Sequence, residues 1–384
     1  MTKNKTDNEM KALFLLFHGF EEFNGISKKI RYQVSALEAC GMEVHTCWLD
    51  DDHNHKRRMI DDKVLCDYGN GLGGKIRKRT GLGCIARYVN EERIGFVYIR
   101  YDHNANPWTI ALLRKLRKSG ARIVMEIPTY PYDREYKGLP APYQRILLVD
   151  KCFRKQLARY VDYIVTFSDY EIIWNRPTIR ISNGIDFGQI RQKTSGAPAG
   201  NEVHLIAVAT MHPWHGFDRA IRGLIDYYAA PHTEEVYLHV VGYGVPQVVE
   251  GYKQLVAEHG LEERVVFQEA LFGSALDALF EHSHIGIGSL ARHRSGIEHI
   301  KTLKNREYAA RGIPFVYSET DSDFEQMPYV LKAPPDETPL DIGRLLRFYH
   351  SIDLDPGRIR ATIEQRLSWQ QQMQEVIDRA FSKP

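Results

Sequence analysis

The densest group of chemically capable residues lies between Arg294 and Val316. It opens with the polar stretch Ser295, Gly296, Ile297, Glu298 and His299, then runs through Lys301, Lys304 and Glu307 into Gly312-Ile-Pro314. A glycine-containing loop ahead of a helix offers free backbone amides and the positive end of the helix dipole, a combination that suits a phosphate. Lys301 and Lys304 fall about one turn apart, so one of them can extend towards the same anion. Glu307, one turn beyond Lys304, can accept hydrogen bonds from ribose hydroxyls. A solvated Lys–Glu helix face would account for the charge pair alone. The loop, the cations, the acid and the Gly-x-Pro strand entry together favour a binding site.

Three other stretches could serve the same ligand. Val240-Val-Gly242-Tyr-Gly244 ends a strand-like run with two glycines, where backbone turns sharply or passes close to a ligand. His215-Gly216 stands ahead of a helix that carries Arg219 in its first turn. Gly25 and Ser27 open the first helix; Ser27 suits an N-cap, and a lone turn glycine is weak evidence by itself. No complete G-x-G-x-x-G follows the first strand, which argues against a dinucleotide-binding enzyme of that type. A fourth stretch, Glu126 to Glu135, contains Tyr130, Tyr132 and Asp133 and cannot be helical through its prolines. Its rings and hydroxyls suit a sugar, and Arg100 and His103 end the preceding strand. A structural Arg100–Glu126 pair between adjacent strands explains the two charges equally well.

The elements that must position these residues alternate from end to end. Apolar runs at 12–17, 43–49, 63–68, 96–100, 122–127, 163–167 and 178–182 predict strands, as do 203–209, 236–241, 264–268, 284–289 and 314–318. Amphipathic stretches at 27–40, 107–118, 143–160, 217–228, 246–259, 275–282 and 302–311 predict helices. Such alternation predicts parallel sheets covered by helices, with ligands at the carboxyl ends of the strands. The polar, Gly- and Pro-containing segment 192–201 reads as a linker. Residues 358–381 read as one long helix, with Ile359, Ile363, Leu367, Met373, Val376 and Ile377 spaced by threes and fours.

With 384 residues, 43% apolar and 26% charged, the chain has material for two ordinary globular domains. The net charge of +2 gives no bulk argument for nucleic acid. No segment reads as a membrane span or a secretory signal. Five cysteines without a Cys-x-x-Cys pair read as buried free thiols in a reducing compartment, hence a cytoplasmic protein. The runs 56–58 and 75–79, with Arg114 to Lys118 and Arg154-Lys155, make the first half locally basic, an ordinary solvated surface or a patch for anionic lipid. The acidic strings Asp50-Asp-Asp52 and Asp321-Ser-Asp323 read as surface loops.

The order Asn183-Gly-Ile-Asp186, His215-Gly-Phe-Asp218, Val241-Gly-Tyr-Gly244 and Lys304-x-x-Glu307-Tyr-Ala-Ala-x-Gly312-x-Pro314 resembles the GT-B-fold retaining glycosyltransferases of family 4 over nearly the whole chain. The resemblance implies two Rossmann-like domains facing across a cleft: an acceptor-binding domain at 1–190, a linker at 191–201, a nucleotide-sugar domain at 202–357, and a C-terminal helix at 358–384 crossing back. It implies a hexosyltransferase without metal or cofactor that takes a nucleoside-diphosphate sugar, a UDP-sugar first, to a lipid-linked or polysaccharide acceptor of the cell-surface or capsular kind. Gly25, His215, Gly216, Arg219, Gly242, Ser295 to His299, Lys304 and Glu307 would then hold the donor. Tyr130, Tyr132, Asp133 and His103 would face the acceptor, and Glu126, Arg100 and His299 are the catalytic candidates.

The pattern departs from the family in three places. His215 stands where Lys is usual and the accompanying Arg is absent, so Arg219 is the expected substitute. His299 stands at the earlier of two glutamate positions. The histidine that often follows the fifth strand is missing. The expected consequence is a His215 whose pKa the donor raises. Alternatives on the same fold are a nucleotide-sugar epimerase or hydrolase, and a non-catalytic nucleotide-sugar-binding subunit. A basic first half at the inner face of an anionic membrane completes the expectation, with no nucleic-acid partner.

Overall fold

The computed structural model describes residues 10–20, 25–52, 55–136, 139–194, 200–297 and 299–382. The chain forms two compact units, Met1–Ile181 with Trp369–Pro384, and Ser182–Ser368.

Unit 1 is built on β1 (Met10–Leu15), α1 (Gly25–Ala39), β2 (Met42–Asp52), β3 (His55–Ile60), β4 (Lys63–Asn70), α2 (Gly71–Thr80), α3 (Gly83–Glu91), β5 (Phe96–Arg100), α4 (Pro107–Lys118), β6 (Arg122–Ile127), α5 (Ala141–Ala158), β7 (Tyr163–Thr166), β8 (Ile172–Ile173) and β9 (Arg176–Arg180). Its sheet runs β4-β3-β2-β1-β5-β6-β7-β9-β8. The central strands are parallel, and the β2–β3–β4 edge is antiparallel. Alternate residues of the central strands feed two apolar layers: Leu13, Val97 and Ile123 pack on one face, Ala12, Tyr98 and Val124 on the other.

Unit 2 contains β10 (Glu202–Val208), α6 (Phe217–Tyr228), β11 (Glu235–Val241), α7 (Pro246–Glu258), β12 (Val265–Gln268), α8 (Gly273–His282), β13 (Ile285–Ile287), α9 (Leu303–Arg311), β14 (Phe315–Tyr317), β15 (Val330–Lys332), α10 (Ile342–His350) and α11 (Pro356–Glu364). Its sheet is parallel throughout, in the order β12-β11-β10-β13-β14-β15. The last helix, α12 (Trp369–Phe381), belongs to unit 1.

The single helix expected over 358–381 is two helices, interrupted between Glu364 and Trp369. Ile359, Ile363 and Leu367 pack into the core of unit 2, whereas Trp369, Met373 and Val376 pack into that of unit 1. One apolar period therefore serves two cores. The units divide between Ile181 and Ser182, ahead of the segment expected to link them; within that segment 195–199 lie outside the described residues.

Three charge assignments also change. Asp50 to Asp52 extend β2, and the run 56–58 lies in its antiparallel partner β3, where Lys56 and Arg58 are buried. Lys56 pairs with Asp51 at 2.6 Å, and Arg58 donates to the Leu16 carbonyl at 2.7 Å. Asp321 and Asp323, expected in a surface loop, are buried too. Arg306 on α9 takes Asp321 bidentately at 2.6 and 3.0 Å and also bonds Asp323. Its remaining donors reach the carbonyls of Asn183 at 3.0 Å and Thr302 at 2.9 Å, so all five guanidinium hydrogens are used. Among the thiols, Cys47 is buried and Cys152 is exposed, against the expectation of burial for all five.

Breaking a buried ion pair from one side leaves uncompensated charge and costs about 3–5 kcal/mol. Arg306→Ala is expected to destabilise the protein by about that amount, measured as a lowered urea midpoint with the native secondary structure retained in dilute buffer. An unchanged midpoint would remove Arg306 from its supporting role.

Candidate functional site

In unit 2 the strand order turns about β10: β11 and β12 lie on one side, β13 to β15 on the other. At such a switch point ligands of parallel sheets bind outside the carboxyl ends of the strands. The loop after β10 forms a short 3-10 turn, Pro213–His215, that ends at Gly216 in the left-handed conformation (φ 64°). The loop after β13 forms another, Arg292–Ser295, ending at Gly296 (φ 67°). The two loops are stitched together by Leu290 N–H donating to the His215 carbonyl at 2.8 Å. A Cβ on Gly216 would stand 2.7 Å from that of Ala291, so the glycine is dictated by this close approach. Gly242 (φ 128°) answers to packing as well: its Cβ would stand 2.1 Å from the Ala209 carbonyl oxygen.

His215 is buried, and its Nδ1 accepts the His212 backbone N–H at 3.0 Å, which leaves the proton of the neutral ring on Nε2. Burial, then the charges of Lys304 and Arg292, hold its pKa well below the ordinary histidine value. The unliganded ring is thus neutral and presents a fixed Nε2–H donor. Arg219 does not substitute for the missing cation. Its guanidinium is buried and bound to the carbonyls of Thr338 (2.7 Å), Pro334 (3.0 Å) and Leu290, so it tethers loops.

The free charge comes from elsewhere. Lys304, in the first turn of α9, has a buried Nζ with no hydrogen-bond partner, 5.4 Å from the centre of the Phe217 ring. Burial and the nearby Arg292 push its pKa down to about 7. Arg292 was not singled out from the sequence, and residue type alone gave no signal for it. Glu319, two residues past β14, was missed as well. It is buried, and neither of its carboxylate oxygens has a hydrogen-bond partner.

The remaining donor-side candidates are less engaged. Glu307 lies on α9 with its Oε1 accepting from Arg311 Nε at 3.0 Å. Ser295 Oγ caps its own turn by donating to the Arg292 carbonyl at 2.8 Å. His299 is exposed, and its backbone pairs with Thr320, which places it beside Glu319 in chain order rather than in a buried cluster. Ile297 is partly buried. Glu298, together with Phe23 and Asn24 ahead of Gly25, lies outside the described residues; Gly25 is the first residue of α1.

Unit 1 brings Arg100 and Glu126 together, in a form that favours structure over reaction. Glu126 is fully buried and accepts from Arg100 (2.5 Å), Tyr98 (2.6 Å) and Gln33 (2.6 Å), with Lys29 at 3.5 Å. Burial pushes its carboxyl up, but Lys29 and Arg100 outweigh that and hold it below the ordinary value. This carboxylate bolts α1 to β5 and β6. Tyr132 is likewise buried and donates to Asp150 at 2.5 Å, under the stacked ring of His103 4.0 Å away. Asp133 is held by Arg154 at 2.7 Å. Tyr130, partly exposed, packs edge-on against Tyr170. Of the acceptor-side candidates, Tyr130 and His103 keep partial exposure, whereas Tyr132 serves the core.

No protein-family model matches the chain, and no curated protein does. Solved structures share its fold over nearly the full length. Sucrose-phosphate synthase from Thermosynechococcus elongatus is 15% identical with a TM-score of 0.65, covering 97% of this chain and 99% of that one. HepE from Anabaena in complex with UDP is 14% identical, TM-score 0.61, covering 96% and 99%. A trehalose-6-phosphate protein of E. coli bound to UDP-2-fluoro glucose is 13% identical, TM-score 0.59, covering 97% and 99%. The fold is GT-B: two parallel-sheet, Rossmann-like units, with the last helix of the chain returning to the first.

The buried His215 ring is expected to stay neutral, with its proton on Nε2, from about pH 5.5 to 8.5, across the ordinary histidine range. Nitrogen chemical shifts of the labelled imidazole in the unliganded protein check this. A titration midpoint near the ordinary value would show that the ring is open to water.

Proposed function

We propose that the protein is a glycosyltransferase whose donor is a nucleoside-diphosphate sugar, a UDP-sugar first among them, with the diphosphate bound in unit 2 at the crevice between β10 and β13. The observation that carries this is Lys304: a buried ammonium without a hydrogen-bond partner, in the first turn of α9, with Arg292 beside it. A buried ammonium is repelled by the guanidinium beside it, and a diphosphate would relieve that repulsion while using the amides of the helix start. His215 would add a hydrogen bond from Nε2, and Glu307 would meet the ribose. The GT-B fold and the UDP or UDP-sugar bound to two of the similar structures support the same donor class.

The proposed transfer retains the anomeric configuration. The glycosidic C–O bond to the diphosphate breaks as the acceptor oxygen bonds to the same carbon on the same face. The acceptor's proton passes to the departing β-phosphate oxygen, so the protein's part is to position the reactants and stabilise the diphosphate charge. Lys304, Arg292 and the start of α9 supply that stabilisation, and the proposed enzyme therefore needs no divalent metal.

The proposed acceptor is a lipid-linked or polysaccharide hydroxyl, as for a cell-surface or capsular polymer, with unit 1 resting on an anionic membrane from the cytoplasmic side. No helix among the described residues is long and apolar enough to cross a membrane. With Lys56 and Arg58 buried, the surface available for docking is α2, with exposed Leu72 and Ile76 beside Lys75 and Arg79, and α5, with exposed Ile146, Leu148 and Val149 around Arg145. Apolar side chains flanked by cations are the pattern of an interfacial helix.

Two outcomes test these readings. Lys304 carries its charge below about pH 7 and loses it above. Affinity for a UDP-sugar, whose diphosphate does not titrate there, should therefore be level in mild acid and fall as pH rises through neutrality. Lys304→Met should bind about tenfold or more weakly at pH 6, as expected for losing a charged hydrogen bond, and with no such pH dependence. Calorimetry that finds identical curves for both proteins would remove Lys304 from the donor site. The second test is sedimentation with liposomes: binding to anionic but not neutral vesicles, weakened by salt and by the double substitution Ile146→Ser with Val149→Ser. Equal binding to both vesicle types would overturn the membrane surface.

A further inference from the structure

Several of the buried polar atoms left without partners in unit 2 gather at the ends of β13 and β14 and the start of α9. Ser289 Oγ stands just past β13, Thr302 Oγ1 and Asn305 Oδ1 flank the first turn of α9, and both oxygens of Glu319 stand just past β14, with Lys304 Nζ among them. Ser289 is 0% exposed and Glu319 2%. Strand pairing brings their segments together: Ser318 N–H donates to the Ser289 carbonyl at 2.9 Å. Asn305 Oδ1 would lie 3.1 Å from a Cβ on Gly288, which sets it at the same strand end. Glu319 feels both Lys304 and Arg292, yet burial outweighs them and pushes its carboxyl up. Its own carbonyl accepts from Lys332.

Buried polar groups in folded proteins have hydrogen-bond partners, and a set without them marks a place where a partner binds. The chemistry of this set is specific. It is rich in acceptors, with the two Glu319 oxygens, Asn305 Oδ1 and two hydroxyls, and it adjoins two cations. A ligand that satisfies both parts must be anionic at one end and rich in hydroxyl donors at the other. A phosphate alone would be repelled by Glu319, and an uncharged sugar alone would leave Lys304 unmet. A sugar joined to a diphosphate meets both.

We propose that Glu319 is a specificity-determining residue for the donor, accepting hydrogen bonds from hydroxyls of the transferred sugar while Lys304 and Arg292 hold the adjoining diphosphate. This rests on the donor class argued above and adds to it the group that recognises the sugar. Ser289 and Asn305 belong to the same cluster, and Arg306 steadies it by holding Asp321, two residues beyond Glu319, at 2.6 Å.

The test compares UDP with a panel of UDP-glucose, UDP-galactose and UDP-N-acetylglucosamine by calorimetry on the full chain, as wild type, Glu319→Gln and Glu319→Ala. Wild type should bind its preferred UDP-sugar more tightly than UDP. Both variants should lose about tenfold or more of that preference, the scale of lost hydroxyl recognition, and flatten the discrimination among sugars. Their affinity for UDP should stay equal or rise, because a negative charge near the diphosphate is gone. Parallel loss for UDP and UDP-sugars would overturn the proposal, since it would mean that Glu319 meets the ribose or merely supports Lys304. Unchanged affinities and preferences in both variants would overturn it too. So would a wild type that binds UDP and every sugar alike. If Glu319→Ala does not fold, the isosteric Gln variant decides. Wild type that binds no nucleoside diphosphate would instead overturn the donor class, whereas UDP binding with indifferent Glu319 variants removes only this residue.

Discussion

The candidate site depends on one buried contact, the fork of Arg306 on Asp321 and Asp323. A guanidinium out of water is tolerable only when its donors are met, and here every one is. The geometry that results is demanding. Arg306 follows Lys304 by two residues on α9, and Asp321 follows Glu319 by two residues after β14. Fixing the first pair fixes how the second pair can meet. The carbonyl of Asn183 and the hydroxyl of Ser182, which donates to Asp323 at 2.5 Å, draw the start of unit 2 into the same cluster. A chain that could slide at this point would lose the placement of its ammonium and its carboxyl together.

Unit 1 solves a similar problem at Glu126. A carboxylate buried among Tyr98, Arg100, Gln33 and Lys29 ties the first helix to two central strands. Both clusters contain buried acids and bases, and burial alone would mark both as candidate sites. What separates them is satisfaction. The Glu126 oxygens are occupied by donors of the protein itself, whereas those of Glu319 are not. The first arrangement is complete in itself, and the second leaves buried polar atoms unmet.

The same test reassigns individual residues. Arg219 and Lys304 both looked like cations near a helix start. Three carbonyls consume Arg219, and no hydrogen-bond acceptor meets Lys304. His215 is a neutral donor, because its other nitrogen is taken by the backbone and burial, with the charges of Lys304 and Arg292, opposes a second proton. The glycines at 216 and 242 prove to be demanded by loop packing, a requirement that any occupant of the crevice inherits.

Much of the architecture was legible in the chain itself. Alternating apolar runs and amphipathic stretches determine strand and helix locally, since each depends on neighbours within a turn or two. Most elements, including α4 and α9, accordingly fall within a residue or two of where the pattern puts them. Gly312 and Pro314 marked the end of α9 for the same local reason. The site was legible only in part. Lys304 and Glu307 stood out by their spacing, but Glu319 and Arg292 did not, and Asp321, Asp323, Lys56 and Arg58 were misassigned to the surface. Whether a charge is buried, and whether its hydrogen bonds are met, depends on groups brought from far along the chain. Residue type and period carry no record of those partners. The break after Glu364 has the same cause: the apolar spacing is continuous, and only the two cores decide that Leu367 and Trp369 belong to different units. Local chemistry determined which elements form, and tertiary contact decided which charges remain free to act.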